Sequence, residues 1–123
     1  MTFEQKFKQA FKNVRKESVA AKMQVQECCR GCIGREKLGM DSDSDPYVYT
    51  YAGQGSRLRF AGDSVIYADT RNPVPHIYVY HGNGGGEKFA EVAKSLGLDV
   101  EWDGSKWSAI VVKVPNEGMP NLR

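Results

Sequence analysis

The feature that most constrains this chain is a change of hydrophobic period along its length. Phe3, Phe7, Ala10, Phe11, Val14, Ser18 and Ala21 recur at helical spacing, which predicts an amphipathic helix over residues 2–21. Thr2 and Gln5 fit a reciprocal cap at its start. The period then falls to two. Residues 22–28 predict a short strand with Met23 and Val25 on one side. In residues 47–51, Tyr47, Tyr49 and Tyr51 alternate with Val48 and Thr50, a strong strand signal. Residues 57–60 and 64–68 predict a hairpin turning at Ala61-Gly62-Asp63, and residues 76–81 another strand. Helical spacing returns once, at Phe89, Val92, Ala93 and Leu96 within residues 87–96, and Gly97 stops it. Two last strands, 98–102 and 107–114, would join at Asp103-Gly104, with Trp102 and Trp107 paired across the turn. This order predicts an α+β fold: a mainly antiparallel sheet with two helices packed on one face. It would be a single domain over residues 1–114, followed by a tail over 115–123.

The 123 residues suffice for one core. Hydrophobic residues make up 41% and charged residues 26%, values that exclude a disordered chain. No apolar run reaches the roughly 18 residues of a membrane span, and the N-terminal stretch alternates charge with phenylalanine, unlike a secretory signal. The expectation is a soluble cytoplasmic protein with no membrane partner. Charge is uneven. Residues 1–40 hold nine Lys/Arg and four Asp/Glu, and residues 41–123 hold eight and eleven, so a basic first third (+5) joins an acidic remainder (−3).

Cys28, Cys29 and Cys32 form the most specific cluster. An odd, tight group argues against a secreted disulfide framework. The Cys29-x-x-Cys32 spacing lets two thiolates meet one ion, and zinc is the metal expected. Cys28 becomes a third ligand only if the loop twists, because neighbours on a strand point apart. His76 or His81 would complete the set. The cluster also fits a redox or nucleophilic thiol, its pKa lowered by Arg30 and Arg35 with a histidine as base. The plain alternative is three reduced thiols packed at the end of a strand.

Three other patterns are weaker. The run Gly82-Asn83-Gly84-Gly85-Gly86 between strand and helix could cradle a phosphate, and Glu101 falls where a ribose-binding acid would. However, Glu87 replaces the third glycine of a dinucleotide fingerprint, and too little chain follows for the rest of that fold. A flexible connection is the expectation. The run Asp41-Ser42-Asp43-Ser44-Asp45 opens like a calcium loop. Pro46 and Ala52 then replace its glycine and closing glutamate, which leaves a solvated turn. Lys8, Lys12, Arg15 and Lys16 on the first helix, with Arg57, Arg59 and the tyrosines at 47, 49 and 51, interleave cations with aromatics in the manner of a single-strand nucleic-acid surface. The alternative there is a solvated helix face and a half-buried sheet face.

Taken in order, Cys28-Cys29-x-x-Cys32, the tyrosine-rich strand, Ile77-Tyr78-Val79-Tyr80-His81-Gly82, a helix, the block GLDVEWDGS (residues 97–105) and Ile110-x-Val112 carry a likeness. They resemble an uncharacterised family of domains of unknown function common in actinobacteria, over roughly residues 23–114. The resemblance implies a compact domain of bacterial or phage origin. It departs at residues 49–54, where the family carries a histidine and an acid. That family has no established activity, so the resemblance implies no reaction.

No nucleophile–base pair and no paired carboxylates stand out. The functional expectation is therefore a non-enzymatic binding or interaction module with a protein partner. The alternatives are a cysteine-dependent enzyme, a zinc-binding protein, a nucleic-acid binder using the basic helix, and a homo-oligomer associating through its tyrosines or Trp102 and Trp107.

Overall fold

The computed structural model describes residues 1–53 and 55–116. The first helix, α1 (Phe3–Lys16), starts where the sequence places it. The Gln5 N–H donates to Thr2 Oγ1 at 3.3 Å, and the Thr2 N–H donates to Gln5 Oε1 at 2.8 Å, closing the capping box. Two further N–H groups of the first turn find partners far along the chain. Those partners lie at the tip of the hairpin formed by β3 (Leu58–Ala61) and β4 (Ser64–Tyr67). The Phe3 N–H donates to Asp63 Oδ1 at 2.8 Å, and the Glu4 N–H to the Gly62 carbonyl at 2.9 Å. The donors that any helix leaves unpaired at its start thus tie the hairpin down.

The helix ends about one turn before the predicted end. Ser18 adopts a left-handed conformation (φ 64°), and the chain turns into β1 (Ala20–Val25), so Ala21 reaches the core from a strand. The remaining strands are β2 (Tyr47–Tyr51), β5 (His76–Gly82), β6 (Val100–Glu101) and β7 (Ile110–Lys113). They form a five-stranded sheet in the order β1-β2-β5-β7-β6. Every neighbouring pair is antiparallel except β1 with β2, so the sheet is mainly antiparallel, as expected.

One face of this sheet carries the core. Val48, Ile77, Val79, Ile110 and Val112 pack there against α1 and α3 (Gly85–Ser95), with Leu58 and Val65 of the hairpin alongside. Helix α3 begins two residues before the predicted start. It stops where expected: Gly97 is left-handed (φ 87°), and the Leu98 N–H returns to the Ala93 carbonyl at 3.0 Å. The opposite face carries Tyr47, Tyr49, Tyr51 and Tyr80. A short helix, α2 (Arg35–Leu38), covers part of it by burying Leu38 beside Val25 and Tyr49. Residues 29–45 are therefore more ordered than a loop, with a 3-10 turn at Arg30–Cys32 preceding α2.

Two strand expectations are corrected. Met23 packs into the helix-side core, whereas Val25 packs into the tyrosine-side cluster. The alternation breaks at Gln24, which is left-handed (φ 56°) where the β1–β2 register shifts. Second, β6 and β7 do not join through a tight Asp103-Gly104 turn. Val100 pairs with Val112 and Glu101 with Val111, so residues 102–109 form a longer loop. Asn116, inside the expected tail, is sewn in. Its N–H reaches the Asp63 carbonyl at 3.0 Å, its Nδ2 donates to the Val74 carbonyl at 2.7 Å, and its Oδ1 accepts from the Val65 N–H at 3.1 Å. The rest of that tail, residues 117–123, lies outside the described residues.

The Gln24 bulge has a structural use. Its backbone N–H donates to the buried Thr50 hydroxyl at 2.7 Å. Its side-chain amide then pairs with the backbone of Leu58, accepting from the N–H at 2.8 Å and donating to the carbonyl at 2.9 Å. A side chain here replaces a neighbouring strand and fastens the hairpin to the sheet. Gln24→Ala leaves both Leu58 groups unpaired in a half-buried place, at a cost of about 2 kcal/mol. Urea unfolding measures it, with exposed Gln26→Ala as the reference. An unchanged midpoint would mean that apolar contacts alone hold the hairpin.

Candidate metal centre and the neighbouring aromatic cleft

Beyond the end of β1 at Val25 the chain bends at Cys28, Cys29 is extended, and the 3-10 turn that follows curls Cys32 back over them. The Cys32 N–H donates to the Cys29 carbonyl at 3.2 Å, which closes the turn. The result brings Cys28 Sγ within 3.1 Å and Cys29 Sγ within 3.3 Å of Cys32 Sγ, and all three sulfurs lie within 4.8 Å of one another. The turn supplies the twist that adjacent cysteines need to share a site. All three are exposed, and no disulfide links them.

Cys29 and Cys32 shift one another in opposite directions. Hydrogen bonds from the Cys32 thiol and backbone N–H, with further ones from Cys28 and Gly31, hold the Cys29 thiol below its ordinary range. Cys32 is pushed up to about 12, first by its hydrogen bonds to Cys28 and Cys29 and then by their negative charge. The cause at Cys29 differs from the expected one. The Arg30 guanidinium lies over the Tyr80 ring at 4.1 Å, and the Arg35 guanidinium faces Asp43 at 3.7 Å.

The structure does not bring the histidines to the thiols. His76 Nε2 sits 3.0 Å from the Tyr78 hydroxyl at one end of β5. At the other end, His81 Nε2 sits 2.7 Å from the Ser108 carbonyl, and its ring packs edge-on against Trp102 with centroids 5.0 Å apart. Among the described residues, Cys28, Cys29 and Cys32 are the only group of three or more histidine, cysteine or acidic side chains close enough to share an ion. Three close thiols with no imidazole beside them are a donor set that could hold a metal ion.

The basic residues separate into two places. Lys8 pairs with Glu4 at 2.7 Å, and Arg15 donates to the Ala21 carbonyl at 3.1 Å, while Lys12 and Lys16 are exposed. Arg57 and Arg59 are exposed at the hairpin. The tyrosines at 47, 49 and 51 project from the sheet face opposite α1, so the sheet divides them from the helix cations. The aspartate-rich run is a closed turn. Asp45 accepts from the Asp41 N–H at 2.8 Å and the Ser42 N–H at 3.0 Å, and Asn83 Nδ2 clasps the Asp43 and Asp45 carbonyls, each at 2.9 Å.

Sequence reasoning missed one arrangement. Arg30, between the metal-ligand candidates, reaches across to the tyrosine face, where its guanidinium lies over the Tyr80 ring. The rings of Tyr47 and Tyr49 stack with centroids 6.1 Å apart, and those of Tyr49 and Tyr80 lie 5.4 Å apart. Beside them the 102–109 loop presents Trp107 at 86% exposure, with Lys106 Nζ 5.0 Å from its ring centroid. The two tryptophans do not pair: Trp102 is tucked against His81 and donates Nε1–H to the Ser105 carbonyl at 3.0 Å. No helix of the described residues is long and apolar enough to cross a membrane. No family model matches the chain, and no curated protein and no solved structure matches it either.

Proposed function

We propose that this chain is a small non-enzymatic binding module of a bacterial or phage cytoplasm. Its 28–32 loop holds one zinc ion on the thiolates of Cys28, Cys29 and Cys32. The observation that carries the reading is the convergence of three exposed sulfurs within 4.8 Å. Zinc takes four ligands, so the open position falls to water or to a donor from a protein partner. Exposed, unlinked thiols fit a reducing compartment. The non-enzymatic reading is supported by the separate engagements of His76 and His81, which keep both imidazoles away from the thiols.

The test is metal content of protein purified without chelator, with competition against a chromophoric zinc indicator. One zinc per chain is expected. Cys29→Ser and Cys32→Ser each lose it, by more than the about 10–100-fold that removal of an outer-shell partner costs. His76→Ala and His81→Ala keep it. Metal-free protein whose thiols react with a disulfide reagent at the same rate with and without added zinc ends the proposal.

A further inference from the structure

We propose that the cleft between the tyrosine face and the 102–109 loop is a binding site for a nucleoside phosphate, its base resting on Trp107 and its phosphate held by Arg30 and Lys106. The juxtaposition of two unpaired cations with an exposed indole and a tyrosine floor carries the inference. It does not depend on metal at the cysteines.

The cleft is about 140 Å³, and Arg30, Tyr49, Tyr80, Lys106 and Trp107 contribute to its walls. No carboxylate lines it. Elsewhere among the described residues, Lys8, Arg35, Lys37 and Lys113 each face an acidic partner, and neither Arg30 nor Lys106 does. Two positive charges in one concave place, without local compensation, favour an anion. Arg30 is also oriented: stacking on Tyr80, 4.1 Å from the ring centroid, holds its planar fork at the cleft. A guanidinium so held matches phosphate geometry.

The aromatic half of the argument rests on Trp107. An indole at 86% exposure forgoes the burial that large aromatic side chains usually obtain. It is nonetheless not on a loose tip. The Ser105 N–H and the Ser108 hydroxyl both donate to Asp103 Oδ1, at 2.8 and 2.7 Å, the Trp107 N–H donates to Ser105 Oγ at 3.0 Å, and the Ser108 carbonyl is tied to His81. The loop therefore holds the ring outward beside Lys106. Stacking on such a ring is tolerant of base identity, because every base has a π-face. The cleft is small enough that the phosphate enters and the base remains at the rim.

A free nucleotide and one nucleotide of a single strand share this chemistry, and two probes distinguish them. The purified full chain is titrated with adenosine 5′-monophosphate, followed by NMR at the indole N–H signals, and with a fluorescein-labelled single-stranded hexanucleotide, followed by anisotropy. Binding of at least one probe is expected, with the Trp107 signal moving. Equal binding per phosphate identifies the free nucleotide as ligand, and preference for the hexamer identifies the strand. Trp107→Ala is expected to weaken binding by about 5- to 100-fold, and Arg30→Ala comparably. Lys106→Gln is expected to reduce the salt dependence of hexamer binding by about one phosphate's worth. Lys94→Gln, on α3 at the opposite side of the sheet, leaves all of it unchanged. All four side chains are exposed, so the thermal midpoint of each variant serves as the folding control. Three results overturn the proposal: no binding of either probe at millimolar concentration, binding indifferent to both Trp107→Ala and Arg30→Ala, or tighter binding of a phosphotyrosine peptide than of either nucleotide probe.

Discussion

Phe7→Ala is expected to cost about 3–5 kcal/mol of folding stability, enough to leave a domain of ordinary stability marginal or unfolded at 37 °C. Phe7 is completely buried. Its ring is the point where three elements meet: Phe3 and Phe11 of its own helix at 5.6 and 5.3 Å, Phe60 of the hairpin at 5.8 Å, and Phe89 of α3 at 6.5 Å. The cavity left by alanine cannot close cheaply. The hairpin is pinned to the start of α1 through Gly62 and Asp63, and to the sheet through Gln24, so Phe60 is not at liberty to move inward. A midpoint lowered by on the order of 15 °C is expected in thermal unfolding. Lys12→Ala on the solvent side of the same helix should remain within about 0.5 kcal/mol of the parent. If Phe7→Ala cost less than about 1 kcal/mol, the hairpin and α3 would have to repack around alanine.

The parts of this fold that could be read from the chain are those whose cause is local. α1 was legible because its apolar stripe and its Thr2/Gln5 cap are adjacent residues acting on one another. The alternation of Tyr47, Val48 and Tyr49 likewise records two faces of one strand. The Gln24 bulge was not legible. Its left-handed backbone is stabilised by Thr50 and Leu58, 26 and 34 residues away, and nothing in the neighbouring sequence announces it. The same division runs through the candidate site. The three cysteines meet through one turn of 3-10 helix, which their spacing foreshadows. The histidines were chosen for their chemistry alone, and the sheet carries them to opposite ends of β5. Arg30 over Tyr80 is the reverse case: two residues far apart in the chain, meeting only because β2 and β5 are neighbours. Trp107 could be named as a contact residue, but not placed, because a long loop stands where the tight turn was expected, and the pairing with Trp102 disappeared with it.

The glycine run before α3 carries the second large effect: Gly85→Ala is expected to cost about 3 kcal/mol, more than the same change at Gly86 and far more than at Gly84. A flexible connection would tolerate a methyl group anywhere. The structure instead packs the start of α3 onto β2 with no room between them. A Cβ on Gly85 would lie 2.5 Å from the Tyr47 carbonyl oxygen and 2.7 Å from its nitrogen. These are backbone atoms of an interior strand hydrogen-bonded on both sides, so the helix itself must retreat and loosen Phe89 from the core. At Gly86 the obstacle is the His81 ring, 2.7 Å away, held by Ser108 and Trp102 and able to shift only at their expense. Gly84 has nothing within 4 Å, and its one demand is a left-handed backbone (φ 85°), which costs alanine about 1 kcal/mol. Gly84→Asn should recover part of that, since asparagine tolerates this region, whereas Gly85→Asn should be at least as damaging as Gly85→Ala. Denaturant unfolding of the five variants gives the order directly. Gly84→Ala emerging as the worst would show that turn conformation, and not close approach, is what the run provides. The expected order instead makes these glycines the spacers that let α3 sit directly over Tyr47 and His81, two residues that also line the aromatic cleft.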